Sequence, residues 1–302
     1  MYRFILVPLD GSTFGEQALL VAAGIARRAG AALEVVQVRS VCLPVSAVPR
    51  SDMDNPLVAE AYGYLDEVVT RLGSGIGISV AATLLEGSVP DALNEHARAR
   101  GADLIVMTTH GRGGFSRFWL GSVADNLVRR ASVPVLLVRP REIAPPPIPE
   151  PVFRNVLIPL DGSALAEQAL EPALTLGLLL ESDFILLRIV TPLLFDGHDP
   201  TVSGDPAIGT PATKELQNDA RAYLEGVANH LRAQSLRVQI RVLVNIQPAV
   251  AILEQSLEAP NGVIALATHG RGGLTRALVG SVADKVVRGA TIPVLVFRPL
   301  GH

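Results

Sequence analysis

The chain is one sequence written twice, and this repeat restricts the possible folds more than any other feature. Phe4-Ile-Leu-Val-Pro-Leu-Asp-Gly-Ser12 returns as Asn155-Val-Leu-Ile-Pro-Leu-Asp-Gly-Ser163. Gly15-Glu-Gln-Ala-Leu19 returns as Ala166-Glu-Gln-Ala-Leu170. Thr109-His-Gly-Arg-Gly-Gly114 returns as Thr268-His-Gly-Arg-Gly-Gly273, and Gly121-Ser-Val-Ala-Asp125 as Gly280-Ser-Val-Ala-Asp284. The offset is 151 from Phe4 to Asn155 and 159 from Thr109 to Thr268, so the second copy carries insertions, most of them expected around residues 195–213. A period this long means tandem domains, because each copy can bury a core of its own. Between the copies, Pro140–Pro151 holds six prolines in twelve residues. Such a stretch continues neither helix nor sheet and reads as a semi-rigid spacer. The expected division is 1–140, a linker at 141–151, and 152–302.

Within the first copy, short apolar runs alternate with helical patterns. Strands are expected at Arg3–Leu9, Ala32–Val38, Ile78–Leu85, Asp103–Thr108 and Val133–Val138. Helices are expected at Thr13–Ala29, Leu57–Leu72, Val89–Arg100 and Ser122–Ala131. Strands separated by helices imply crossover connections and a parallel sheet. Strands apolar on both faces fit a sheet covered by helices on each side. The fold class is therefore α/β: two tandem doubly wound, Rossmann-like domains, each with a five-stranded parallel sheet. The composition agrees. Hydrophobic residues make up 49% and aromatics 4%, so the core must be aliphatic.

Mean hydropathy is +0.36, yet the apolar runs are too short to span a bilayer: Ala164–Leu180 is interrupted by Glu167, Gln168 and Glu171. No signal-like segment opens the chain, and a cytoplasmic protein without membrane association is expected. A net charge of -3 gives no electrostatic footprint for nucleic acid. The single cysteine, Cys42, excludes an intrachain disulfide. Lysines stand only at 214 and 285, which leaves lysine-based chemistry almost nowhere to sit.

Ligands of open parallel sheets bind beyond the C-terminal strand ends at a topological switch point. Asp10 and the 109–122 segment both follow strand ends, so the residues of interest gather on that rim. Gly111-Arg-Gly-Gly114, then six residues, then Gly121-Ser122 opening a helix, recurs as Gly270-Arg-Gly-Gly273 and Gly280-Ser281. Glycines admit a close ligand, and a helix N-terminus offers unpaired N–H groups and a positive dipole end, which together suit phosphate. The alternative is a tight loop with Ser122 as a simple cap, backed by Asp125 in a capping-box arrangement. Asp10 and Asp161 either cap the following helix or bond a ribose or a phosphate-bound metal. His110 and His269 are hydrogen-bonded loop residues or ligand contacts. Arg112 and Arg271, with Arg117 and Arg276 behind them, pair with phosphate oxygens or face solvent. No zinc spacing, P-loop, G-x-G-x-x-G after strand 1 or nucleophile elbow is present, and no catalytic residue or resident metal is assigned.

These residues resemble the universal stress protein family in its tandem two-domain form, over nearly the whole chain outside the linker and the loops after each second strand. The nucleotide-binding branch of that family carries G-x-x-G, nine residues, then G-[ST]. Gly111 with Gly121-Ser122, and Gly270 with Gly280-Ser281, match its later positions. The first glycine is replaced by Thr108 in one copy and Ala267 in the other. By resemblance, Asp10 and Asp161 contact the nucleotide with Pro8 and Pro159 beside them, and the backbone of Val38 and Ile189 meets the adenine edge. Gly111, Gly121, Ser122, Gly270, Gly280 and Ser281 cradle phosphates, with Mg²⁺ as a bridging ion. The resemblance also implies strand order 3-2-1-4-5 and pairing of domains through their fifth strands, satisfied here as an internal pseudo-dimer, with a homodimer of chains also open. The function expected is an ATP-binding regulatory or stress-response protein that switches conformation or signalling partner with little turnover. Two alternatives are a partner-binding scaffold without nucleotide and a slow ATPase or self-phosphorylating enzyme.

Overall fold

Phe4–Leu9 forms β1, with Ile5, Leu6 and Val7 wholly buried. Thr13–Ala29 follows as α1 and Ala32–Arg39 as β2. The unit continues with α2 (Pro56–Ile76), β3 (Val80–Glu86), α3 (Val89–Arg100), β4 (Leu104–Thr108), α4 (Ser122–Arg130) and β5 (Val135–Val138). β5 starts at Val135 rather than at the expected Val133. Pro134 has no N–H for the ladder and takes part only through its carbonyl, which accepts from Ile105 at 3.0 Å. A computed structural model describes residues 1–39, 56–109, 120–140, 153–192, 210–268 and 279–299. The proline-rich 141–151 stretch lies outside the described residues.

The chain divides into two units, Met1–Val152 and Phe153–His302. In the first, the strand order is β3-β2-β1-β4-β5, all parallel. The order reverses direction at β1, whose neighbours are β2 and β4. α1 packs against α2, and α3 against α4; right-handed crossovers place these pairs on opposite faces of the sheet. The second unit repeats the plan with β6 (Asn155–Pro159), α5 (Ala164–Glu167), α6 (Leu170–Leu179), β7 (Asp183–Val190), α7 (Pro211–Arg232), β8 (Val238–Val244), α8 (Pro248–Leu257), β9 (Gly262–Ala267), α9 (Ser281–Gly289) and β10 (Val294–Phe297). Its order is β8-β7-β6-β9-β10, again parallel.

The copies differ where single residues force them to. α1 is continuous, whereas its counterpart breaks into α5 and α6. Pro172 in the second copy has no N–H and its ring would strike the carbonyl four residues back, so the helix gives way at Gln168–Ala169. α1 ends on Gly30 at φ +64; the matching residue is Glu181, held at φ +57. A side chain in that region costs on the order of 1–2 kcal/mol.

A third difference is buried. Glu34 on β2 is 2% exposed; the Thr83 hydroxyl donates to it, His96 Nε2 lies 3.1 Å away and Arg100 Nε donates at 3.4 Å. Burial pushes its pKa up, but the bonds from Thr83 and His96 and the charges of His96 and Arg100 together outweigh burial and hold the carboxyl below its usual value. In the second unit Ile185 stands at the matching place.

Two outcomes follow from these differences. Glu181→Gly stabilises the second unit by up to about 1 kcal/mol in urea denaturation, because it relieves the left-handed strain. Glu34, with its folded pKa depressed, contributes stability above the ordinary carboxylate range and loses it as pH falls through the folded value. The stability gap between wild type and Glu34→Gln therefore narrows on acidification below about pH 4.

Candidate nucleotide site at the strand ends

Both units build the same turn after the first strand. Asp10 Oδ1 accepts from Ser12 N at 3.0 Å and from Ser12 Oγ at 2.6 Å. Ser12 is the N-cap of α1, and its Oγ accepts from Gly15 N at 3.0 Å. The second unit repeats this with Asp161 and Ser163 at 2.9 and 2.6 Å, and with Ala166 N donating to Ser163 Oγ at 3.2 Å. Gly11 at φ +79 and Gly162 at φ +78 take the left-handed step that folds the carboxylate back onto the serine. The aspartates thus act one step behind the cap: serine caps the helix and aspartate orients the serine. Pro8 and Pro159 lie near the ends of their strands, just below this turn.

A second edge stands above the first strand. β1 pairs with β2 as far as Leu9↔Gln37, while β2 pairs with β3 on to Arg39↔Glu86. Val38 therefore projects beyond β1. In the second unit β6 pairs with β7 as far as Pro159↔Leu187, and Ile189 projects beyond it in the same way.

The third wall comes from the fourth strand. Thr108 pairs with Val138, Thr109 N donates to Val138 O at 3.0 Å, and the chain returns where Gly121 N donates to Thr109 O at 2.8 Å. Thr268 and Gly280 repeat this closure at 2.7 Å. Thr108 is buried and Ala267 half-buried. His110, Gly111, Arg112, Gly114, His269, Gly270, Arg271 and Gly273, with Arg117 and Arg276, lie outside the described residues.

The expected capping box at Ser122 is not what the structure contains. Gly121 is the N-cap of α4 at φ -58, ψ 147, and Ser122 is the first helical residue, exposed. Gly280 and Ser281 take the same roles in α9. The register is the reason: the closure holds Gly121 in the cap position, so the third helical residue is Ala124 rather than an acid, and Asp125 stands one position too late to reach back to the cap N–H. Asp125 turns instead to Arg129 at 2.8 and 3.1 Å, and Asp284 to Arg288 at 3.0 Å. The first intrahelical bonds are Asp125 N to Gly121 O and Asp284 N to Gly280 O, both 2.9 Å. The N–H groups of Ser122, Val123 and Ala124, and those of Ser281, Val282 and Ala283, precede that bond and point out of the helix start. Gly280 serves close approach rather than an unusual φ: a Cβ there would lie 3.3 Å from Thr268 O.

Several residues beside the aspartate turn escaped the sequence reading. Tyr223 of α7 donates to Glu167 at 2.8 Å, and Arg188 of β7 lies over the Tyr223 ring, 5.6 Å from its centre. Burial first, then the bond to Glu167, pushes the Tyr223 phenol pKa up. Tyr64 and Glu16 are the counterparts, and burial and then Glu16 raise the Tyr64 phenol likewise. A signal existed: Tyr64-Leu65 matches Tyr223-Leu224 at the 159 offset, in a chain with four tyrosines.

Two parallel strand sets, each with an aspartate turn, a projecting second-strand edge and an open helix start at its switch point, define a doubly wound α/β protein, and these features gather where such folds place their ligands. The universal stress protein family profile matches residues 1–139 and again 153–298, and the chain belongs to that family. It is 29% identical over 250 residues to universal stress protein Rv2005c of Mycobacterium tuberculosis, covering 82% of this chain and 78% of the relative. It is 32% identical over 235 residues to a universal stress protein of Mycolicibacterium smegmatis, covering 77% of this chain and 73% of that one. The crystal structure of a universal stress protein from Archaeoglobus fulgidus superposes with a TM-score of 0.71 at 20% identity, covering 98% of both chains, a likeness of fold. Among the described residues, no helix is long and apolar enough to cross a membrane.

The capping geometry sets a stability expectation. Ser12→Ala and Ser163→Ala each destabilise their own unit by about 1 kcal/mol in chemical denaturation, the usual cost of a lost N-cap.

Proposed function

We propose that the protein is an ATP-binding regulatory protein of the stress response, with one nucleotide site per unit, acting in the cytoplasm as a switch of conformation or partner. Residues 1–140 and 152–302 are the two binding domains in this reading. The observation that carries it is the open helix start at the switch point of each sheet. Three successive N–H groups precede the first intrahelical bond, at the positive end of the helix dipole and beside a carboxylate turn. A chain with two lysines has to hold phosphate with backbone donors and arginine, and the helix-start N–H groups are donors of the first kind.

The residues fit such a ligand in parts. Ser122, Val123 and Ala124, and Ser281, Val282 and Ala283, supply the phosphate donors. The Val38 and Ile189 backbone, raised above the first strand, suits the edge of a base. Asp10 and Asp161 keep one oxygen on the serine cap, so their part in ribose or Mg²⁺ binding runs through a turn that is already ordered. Bound Mg²⁺ would neutralise part of the phosphate charge. Thr108 and Ala267, in place of the family motif's first glycine, favour the scaffold alternative, and the same experiment decides between the two.

Ser122→Pro and Ser281→Pro are the sharpest variants. Proline is at home in the first helical position, and Gly121 and Gly280 before it already sit at ψ 147 and 144, the extended geometry that a following proline requires. Each variant removes one N–H donor and keeps the helix. By calorimetry, each weakens ATP binding at its own unit at least tenfold, in line with about 1.5–3 kcal/mol for a hydrogen bond to a charged group. Full affinity in both variants would show that the helix starts hold no phosphate. Native mass spectrometry of the purified chain gives nucleotide count and assembly mass together, and a chain that neither carries nor takes up ATP is a scaffold.

A further inference from the structure

The two units hold their aspartate turns by different means. In the second, Arg188 Nη1 donates to the Leu160 carbonyl at 3.4 Å, immediately before Asp161. The same guanidinium lies over the ring of Tyr223 on α7, and the Tyr223 hydroxyl donates to Glu167, four residues after the N-cap Ser163. The turn from Leu160 to Glu167 is thereby gripped at both ends by one stacked pair that joins β7 to α7.

Among the described residues, the first unit has no such grip. Gln37 replaces Arg188, and its Oε1 is buried without a hydrogen-bond partner. The Tyr64 hydroxyl is likewise buried with no partner of sound geometry, although Glu16 is near enough to affect its ionisation. Glu16 bonds instead to Arg71 at 2.5 Å, an arginine half exposed on α2. The backbone accounts for the contrast. α1 runs unbroken for 17 residues and holds its own first turn in place. α5 is four residues long, cut off by the break that Pro172 imposes, and so short a helix holds no turn rigid by itself.

We propose that Arg188 is a positioning residue of the second nucleotide site: stacked on Tyr223, it holds the Asp161 turn in its binding geometry and so places that site under the control of α7. The first site is independent of the matching residues Gln37 and Tyr64. This rests on the nucleotide reading above for its binding consequence, while the bracing itself is measurable without ligand. A cation over an aromatic face and a charge-assisted bond to a carbonyl both survive an exchange of arginine for lysine in part, and neither survives an uncharged substitute.

The test uses the full chain with Arg188→Gln, Arg188→Lys, Tyr223→Phe and Gln37→Ala. Hydrogen exchange in the ligand-free protein reads the amides of Ala166 and Glu167. Exchange there rises about tenfold in Arg188→Gln, which corresponds to about 1.4 kcal/mol. Arg188→Lys keeps part of the protection that Arg188→Gln loses, and Gln37→Ala leaves Gly15 and Glu16 unchanged. ATP titrations of the second unit are made in a Ser122→Pro background, and those of the first in a Ser281→Pro background. Arg188→Gln weakens the second site about tenfold and Tyr223→Phe about threefold, while Gln37→Ala leaves the first site within twofold. Unchanged amide exchange in Arg188→Gln overturns the bracing. Altered exchange with unchanged ATP affinity overturns the positioning role and leaves the nucleotide function standing. Absence of ATP binding in the unsubstituted chain overturns the nucleotide function and, with it, the positioning role, whereas the exchange result then judges the brace alone.

Discussion

β1 and β6 each run between two parallel neighbours, and everything at the rim depends on this. A strand so placed is bonded along both edges and buried on both faces, so it must be short, apolar and free of charge until it leaves the sheet. It leaves at Asp10 and Asp161. Because β2 and β7 run on past the ends of β1 and β6, the exit point becomes the floor of a notch. The backbone of Val38 or Ile189 stands on one side and the closure of Thr109 on Gly121, or Thr268 on Gly280, on the other. The site is a consequence of unequal strand lengths about a reversal of strand order.

Within that notch, polar groups are ordered by one another before any ligand is involved. Aspartate orients serine, serine caps the helix, and the threonine carbonyl takes the N–H of the glycine cap at the other helix start. Among the described residues, the groups that precede the first intrahelical bond are a small, defined set of helix-start N–H donors. In the proposed function these groups hold the anion in a chain nearly without lysine, because backbone donors are rigid and carry no side-chain entropy cost.

The duplication has let the two copies solve the same problem differently. A proline inside the first helix of the second copy shortens it, and a stacked arginine and tyrosine brace takes up the loss. A buried carboxylate with its own donors in the first copy becomes Ile185 in the second, which removes the need for partners. A glycine helix end becomes Glu181, at the cost of backbone strain. The residues of the aspartate turn, Asp-Gly-Ser, and of the helix start, Gly-Ser-Val-Ala-Asp, are nevertheless identical in the two copies.

The sequence alone was enough for the repeat, the alternation of strands and helices, the parallel sheet and the rim position of Asp10, Gly121 and their copies, because these depend on local periodicity and on turn residues that act over a few positions. It also carried the likeness to the universal stress protein family, through Gly111 with Gly121-Ser122 and their repeat. It misplaced the cap of α4, since the residue that decides it, Thr109, lies twelve positions away and acts through a backbone carbonyl. It passed over Glu16, Tyr64, Glu167, Arg188 and Tyr223, which meet only when α2 and α7 fold down on the sheet. Those contacts join residues tens of positions apart, and their energies depend on burial and distance, which only the tertiary structure decides.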